Sequence, residues 1–137
     1  MYRKIIVLLA FLLLLLTACV NDSKTFTFSG NSTNWIANLK VTQTSDDYET
    51  QDFVLEYKGD DVNSVGEISY SVVSVGSFSR SGATLEENGT LKDSDKANPT
   101  NAKVTENTEV EVTVEWNGNT EKFKLDMQLV VDVKQKE

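Results

Sequence analysis

From residue 25 onward apolar and polar residues alternate, the period-two pattern of strands that bury one face. In TFTFSG, Phe26 and Phe28 share a side. In WIANLKV, Trp35, Ala37, Leu39 and Val41 share one, with Asn38 and Lys40 opposite. FVLEYKG sets Phe53, Leu55 and Tyr57 together, and EISYSVVSVG offers Ile68, Tyr70 and Val72. Val73 and Val75 break the parity of that last segment, which predicts a bulge or burial on both faces. Gly30, Gly59 and Gly76 close three of these segments in the manner of turn residues.

The strongest pattern comes last. Val110, Val112, Val114 and Trp116 alternate up to Asn117-Gly118, and Phe123, Leu125, Met127, Leu129, Val131 and Val133 alternate beyond it. Asn-Gly suits a two-residue type I′ turn, whose central residues both need positive φ. Such a turn sets Val112 against Phe123 and Val110 against Leu125, so the apolar faces coincide. A one-residue slip would turn one face to water. The final run covers roughly eleven residues, near twice the usual strand length of about 5–6. A Leu129–Val133 end that outran its neighbour would offer an unpaired edge to a partner strand. Pairing of that end with Val104 and its neighbours is the expectation, which would leave no free edge.

Between Ser77 and Asn107 the chain is polar, with Phe78, Leu85, Leu91 and Val104 as its main apolar residues. LEENGTL predicts a short hairpin around Asn88-Gly89, and KDSDKANPTN reads as an exposed loop of the long kind that carries function or lacks order. No segment past residue 24 sustains a 3.6-residue apolar period. Six to eight short strands without crossover helices predict an all-β fold, a single antiparallel sandwich or barrel. An immunoglobulin-like β-sandwich over residues 25–133 is the expectation and a small β-barrel the alternative, followed by a polar tail at 134–137.

The residue inventory narrows the chemistry. There is no histidine and one cysteine, which removes Ser-His-Asp and Cys-His nucleophiles and Cys/His zinc sites. No Ser-x-x-Lys, Gly-x-Ser-x-Gly or Gly-rich phosphate loop occurs. The acidic pairs Asp46-Asp47, Asp60-Asp61 and Glu86-Glu87 are adjacent residues that point apart, unlike two glycosidase carboxyls about 5–9 Å apart across a cleft. DSDKAN begins like a calcium loop, but Asn98 stands for the turn glycine and Val104 for the bidentate Glu. A looser site would have to draw on Asp60, Asp61, Asp93 or Asp95. No catalytic residue, metal or cofactor is therefore expected. Trp35, Tyr57, Tyr70 and Trp116 run in phase with aliphatic neighbours and read as core. Trp116 flanks the turn, so it joins Leu129, Val131 and Val133 as a candidate interaction residue.

The front of the chain obeys different rules. Ile5 to Leu16 are twelve consecutive apolar residues after Arg3 and Lys4. A membrane-spanning helix needs roughly 18 or more, whereas the apolar core of a secretory signal has roughly 7–15. Leu16-Thr17-Ala18-Cys19 resembles the lipobox of bacterial lipoproteins, in which a diacylglycerol is attached to the cysteine and cleavage falls just before it. The resemblance implies removal of residues 1–18, lipidation of Cys19 (with palmitate-type acyl chains) and a short tether over 19–24. It also implies residence on the extracytoplasmic face of the cell membrane. Two acyl chains, at ~0.8 kcal/mol per buried CH₂, hold a protein stably where one does not.

Charge then limits the partners. The chain has 13 basic and 21 acidic residues, a net charge of −8, and loss of Arg3 and Lys4 makes it about −10. Nucleic acid is excluded as a partner, because binding it requires a basic face. Five residues, Val20 to Lys24, span at most about 17 Å. A domain of this charge is expected to stand off anionic headgroups beyond the Debye length of about 8–10 Å. A basic extracellular partner would be attracted.

The stretches TFTFSGNSTNW, YKG and WNGNTEKF also resemble small lipoproteins of Bacillus-type, Gram-positive bacteria, which carry TFxGxSxNW, YKG and WxGxxExF motifs. Phe28, Gly30, Ser32, Asn34 and Trp35 match the first, Tyr57 to Gly59 the second, and Trp116, Gly118, Glu121 and Phe123 the third. The resemblance implies localisation and adds no catalytic residue. The function expected is that of a membrane-anchored, non-catalytic module that binds an extracytoplasmic protein or small ligand. The alternatives are a carboxylate enzyme acting on wall glycans and an inhibitor of a basic extracellular enzyme.

Overall fold

The computed structural model describes residues 2–4, 23–44, 48–97 and 103–133. The apolar segment with Cys19, the Asp46-Asp47 pair, Asn98 and the tail 134–137 lie outside the described residues. Eight strands follow in order: β1 (Ser23–Asn31), β2 (Trp35–Thr44), β3 (Glu49–Tyr57), β4 (Ile68–Val73), β5 (Phe78–Ala83), β6 (Thr90–Ala97), β7 (Val110–Trp116) and β8 (Asn119–Val133). A 3₁₀ turn, Val62–Ser64, precedes β4. The first strand starts at Ser23, two residues ahead of the expected boundary.

All pairings are antiparallel, and the strands form one sheet in the order β5-β4-β7-β8-β1-β2-β3-β6. The sheet is nearly closed into a barrel. Its inner face carries the alternating residues read from the sequence, with Phe26, Phe28, Trp35, Leu39, Phe53, Leu55 and Val112 all buried. The same parity runs back along β3 to Gln51 and Glu49, which are buried as well. Gln51 donates through Nε2 to the Gly76 carbonyl at 2.6 Å. Glu49 Oε2 accepts from the Val104 amide at 3.0 Å and from Gln43 Nε2 at 2.7 Å. These bonds give Gln51 Nε2 and Glu49 Oε2 the partners that buried polar groups require, while the buried Gln51 Oε1 accepts no hydrogen bond from the described residues.

The β7–β8 hairpin has the register and turn expected of Asn117-Gly118. Val112 faces Phe123 and Val110 faces Leu125. Both turn residues have positive φ, 46° at Asn117 and 74° at Gly118, as a type I′ turn demands.

β8 differs from expectation in its second half. Phe28 pairs with Met127 but Thr27 pairs with Leu129, so Gln128 is the extra residue of a bulge. A bulge reverses which side chains face the core. Val130 therefore packs against the core, while Leu129, Val131 and Val133 point outward. The expected pairing of this end with Val104 is also corrected. Residues 126–133 pair with β1 on one side, and beyond Leu125 no strand pairs on the other among the described residues. Val104 is buried over Glu49 and Gln43 instead.

Two further expectations change. Lys92 to Ala97, read as loop, belongs to β6, which pairs with β3 along its length. It looks polar because it is an edge strand that commits Leu91 to the core. The tight turn around Asn88-Gly89 is present, with Gly89 N–H donating to the Glu86 carbonyl, but the strands it joins stand at opposite edges of the sheet. Val73 and Val75 are neither bulged nor doubly buried; β4 ends at Val73 and both side chains are exposed.

The outer edges of β5 and β6 are linked by side chains. Arg80 Nε lies 3.0 Å from Asp93 Oδ2 and its Nη2 lies 3.7 Å from Asp95 Oδ1. The Tyr70 hydroxyl donates to Asp93, and burial followed by that bond pushes its pKa well above the usual phenol value. Because the Arg80 side chain is 40% exposed, Arg80→Ala is expected to cost no more than about 1 kcal/mol in urea unfolding.

Candidate functional site

An antiparallel sheet of this order has two ends of different makeup. The proximal end gathers the start of β1, the β2–β3 and β4–β5 turns, the β6–β7 connection and the end of β8. The distal end gathers the β1–β2, β3–β4, β5–β6 and β7–β8 connections.

The motif residues meet at the distal end. Glu121, near the start of β8, accepts at Oε1 from the Ser32 hydroxyl at 2.6 Å and from the Asn34 amide at 2.9 Å. Its Oε2 accepts from Asn34 Nδ2 at 2.6 Å. Lys58 bonds the same turn twice, Nζ to the Ser32 carbonyl at 2.9 Å and N–H to the Asn34 carbonyl at 2.8 Å. Burial alone would raise the Glu121 pKa, but the hydrogen bonds from Ser32 and Asn34, with the nearby Lys58 charge, outweigh it and hold the carboxyl below its usual range. A carboxylate so saturated with donors stays ionised and tied to the β1–β2 turn. It is a clamp between the β1–β2 turn and β8, unsuited to delivering a proton.

Aromatic packing completes this corner. The Trp35 ring lies 5.2 Å from Tyr57 and 5.2 Å from Trp116, the latter edge-on at 79°. Trp116 is 8% exposed, so the structure places this candidate interaction residue inside the core. Gly30 sits where a Cβ would overlap the Lys124 carbonyl and the Leu125 side chain. The close approach of β1 to β8 requires glycine there. Trp35, Trp116, Gly30, Ser32, Asn34 and Glu121 thus share one architectural role.

Acidic residues crowd the remaining distal connections. Residues 58–67 and 84–89 contain Asp60, Asp61, Glu67, Glu86 and Glu87 against the lone cation Lys58. A broad depression of about 450 Å³ beside the β7–β8 turn is bordered by Glu67, Ser69, Glu115 and Asn117. Asp93 and Asp95 belong to the Arg80 seam instead. Among the described residues, no three acidic or thiol side chains converge as a metal site.

The proximal end is chemically different. Among the described residues of the domain, the exposed large hydrophobics are Tyr48, Val73, Val75, Leu129, Val131 and Val133. All lie in proximal turns or on strand ends that run into them. Three of them were singled out by the sequence, though as a strand edge in phase with the core. The bulge at Gln128 that exposes them leaves no mark in the alternation. No family model, curated protein or solved structure matches the chain.

Proposed function

We propose that this protein is a lipid-anchored, extracytoplasmic, non-catalytic interaction module. The observation that carries the reading is the chemical contrast between its ends. The chain enters from the Cys19 side at the apolar end and presents five carboxylates against one lysine at the other. A tether at Ser23 would turn the acidic end outward. That end suits a basic extracytoplasmic protein, because opposite charge steers encounter even where it adds modest affinity. The resemblance of the motif residues to small lipoproteins of Bacillus-type bacteria supports the same reading. We further read the sheet as a barrel in preference to an immunoglobulin-like sandwich. In support, β8 runs unbroken from β7 to β1 and Arg80 spans the remaining gap.

Two measurements test this. Cys19→Ala is expected to abolish processing at residue 18 and to remove the diacylglyceryl mass from membrane-extracted protein. An unchanged intact mass would refute the anchor. Crosslinking of the full chain in cells, then purification, is expected to recover a basic partner. Asp60→Asn/Asp61→Asn/Glu86→Gln/Glu87→Gln should lose that partner, and raised salt should weaken it. Equal recovery by the neutralised variant would reject the distal end as the binding face.

A further inference from the structure

We propose that the proximal end, led by Leu129, Val131 and Val133, seats directly on the lipid bilayer as a second membrane contact. The inference rests on the anchored reading above and goes beyond it. It replaces the expectation, drawn from net charge, that the domain stands clear of the lipid.

The first argument is position. Ser23 pairs with Val133, Thr25 with Val131 and Thr27 with Leu129. The exposed stripe therefore begins beside the residue where the chain departs toward Cys19. Four residue steps separate Cys19 from Ser23, a reach of at most about 14 Å. Val133 stands one strand spacing away, about 5 Å. A lipidated Cys19 would hold this end of the barrel against the headgroups.

The second argument is composition. Leu129 is 56% exposed, Val131 41% and Val133 47%. They follow one another along the outward face, so the exposed surface is continuous. Val73 and Val75 add 51% and 42% exposure at the neighbouring β4–β5 turn, whose residues Ser74–Ser77 carry no charge. Tyr48 stands at the β2–β3 turn with Lys96 Nζ 4.3 Å from its ring centroid. A tyrosine beside a lysine whose stem can snorkel is a pair suited to the headgroup layer. Isolated exposed apolar residues are ordinary on any protein. Here they share one end, where the exposed acids Glu106, Glu109 and Asp132 are matched by the exposed cations Lys24, Lys96 and Lys103, so the apolar stripe and not net charge carries the contact.

The third argument is sequence economy. The bulge at Gln128 turns Leu129, Val131 and Val133 out of the core while Val130 takes their place inside. Fold stability does not require apolar residues at those three outward positions, whereas partition into an interfacial layer does.

The test uses the full chain, processed and lipidated in a bacterial host and reconstituted into phosphatidylcholine–phosphatidylglycerol liposomes. Single cysteines are introduced by Leu129→Cys, Val131→Cys and, as a distal reference, Asn88→Cys, and each is labelled with bimane. Labels at 129 and 131 are expected to shift to the blue and to lose most of their intensity when the lipids carry a nitroxide on the upper acyl chain. The label at 88 should respond to neither. Intact mass is read on the same samples. A diacylglyceryl mass at Cys19 with all three labels alike would overturn this inference and leave the anchor standing. A mass lacking that group overturns the anchor and this inference together. A blue shift at 129 that fades with protein dilution and ignores nitroxide lipid would assign the stripe to a second copy of the chain, and so reject the bilayer.

Discussion

Trp35→Ala is expected to destabilise the domain by about 3–5 kcal/mol, the range for removing a large, fully buried aromatic. Trp35 has no exposed surface and is the largest of the fully buried side chains. It touches Tyr57 from β3 and Trp116 from β7, so its loss opens a void between strands far apart in the sheet order. Relaxation would have to move several strands at once, which puts the cost at the upper part of the range. At roughly 4 °C per kcal/mol for a domain near this size, the thermal midpoint should fall by roughly 12–20 °C. Trp35→Phe should cost far less, since the indole N–H has no hydrogen-bond partner to lose. Urea unfolding of a chain shortened to residues 19–137 checks both. A Trp35→Ala midpoint close to wild type would show that the aromatic corner contributes little.

Glu121→Ala should cost about 1.5–3 kcal/mol, because three donors lose a charged acceptor in a half-buried setting. The effect should also depend on pH. The folded carboxyl titrates below its ordinary value of 4.5, so the folded state favours the ionised form. Its contribution is complete above that ordinary value and is lost as pH falls through the depressed folded one. Wild-type stability should therefore decline with acid in this window more steeply than that of Glu121→Gln, which retains an acceptor but no titrating group. Paired urea titrations at neutral and acidic pH would reveal it. Parallel pH profiles for the two proteins would mean that Glu121 is not the clamp described.

Much of this architecture was legible because one face of each strand must leave water. Phe26, Phe28, Trp35, Leu39, Phe53, Val112 and Phe123 fell where alternation put them, and Asn117-Gly118 set the hairpin register through backbone sterics alone. The polar edge strand was not legible. β6 sends Leu91 to the core, and strand formation there depends on pairing with β3, which its own residues do not announce. The bulge at Gln128 was hidden for a related reason. Both Val130 and its neighbours Leu129 and Val131 are apolar, so either parity is chemically plausible until β1 selects one. Glu121 was visible as a motif residue, but its partners, Ser32 and Asn34, lie 89 and 87 positions away. Only the pairing of β1 with β8 makes them neighbours. The contrast between ends was equally unreadable along the chain, since each end draws on segments scattered from β1 to β8.

The central place of β1 has a mechanical consequence. This strand lies between β2 and β8, and every one of its nine residues has a partner on β2. A pull on Ser23 from below, resisted by a load at the far end, acts along the strand, at right angles to its hydrogen bonds. Both ladders then bear the force in shear and must slide as a whole, instead of parting one rung at a time. Tension applied at Ser23 should therefore load the whole sheet before any one strand peels away from it.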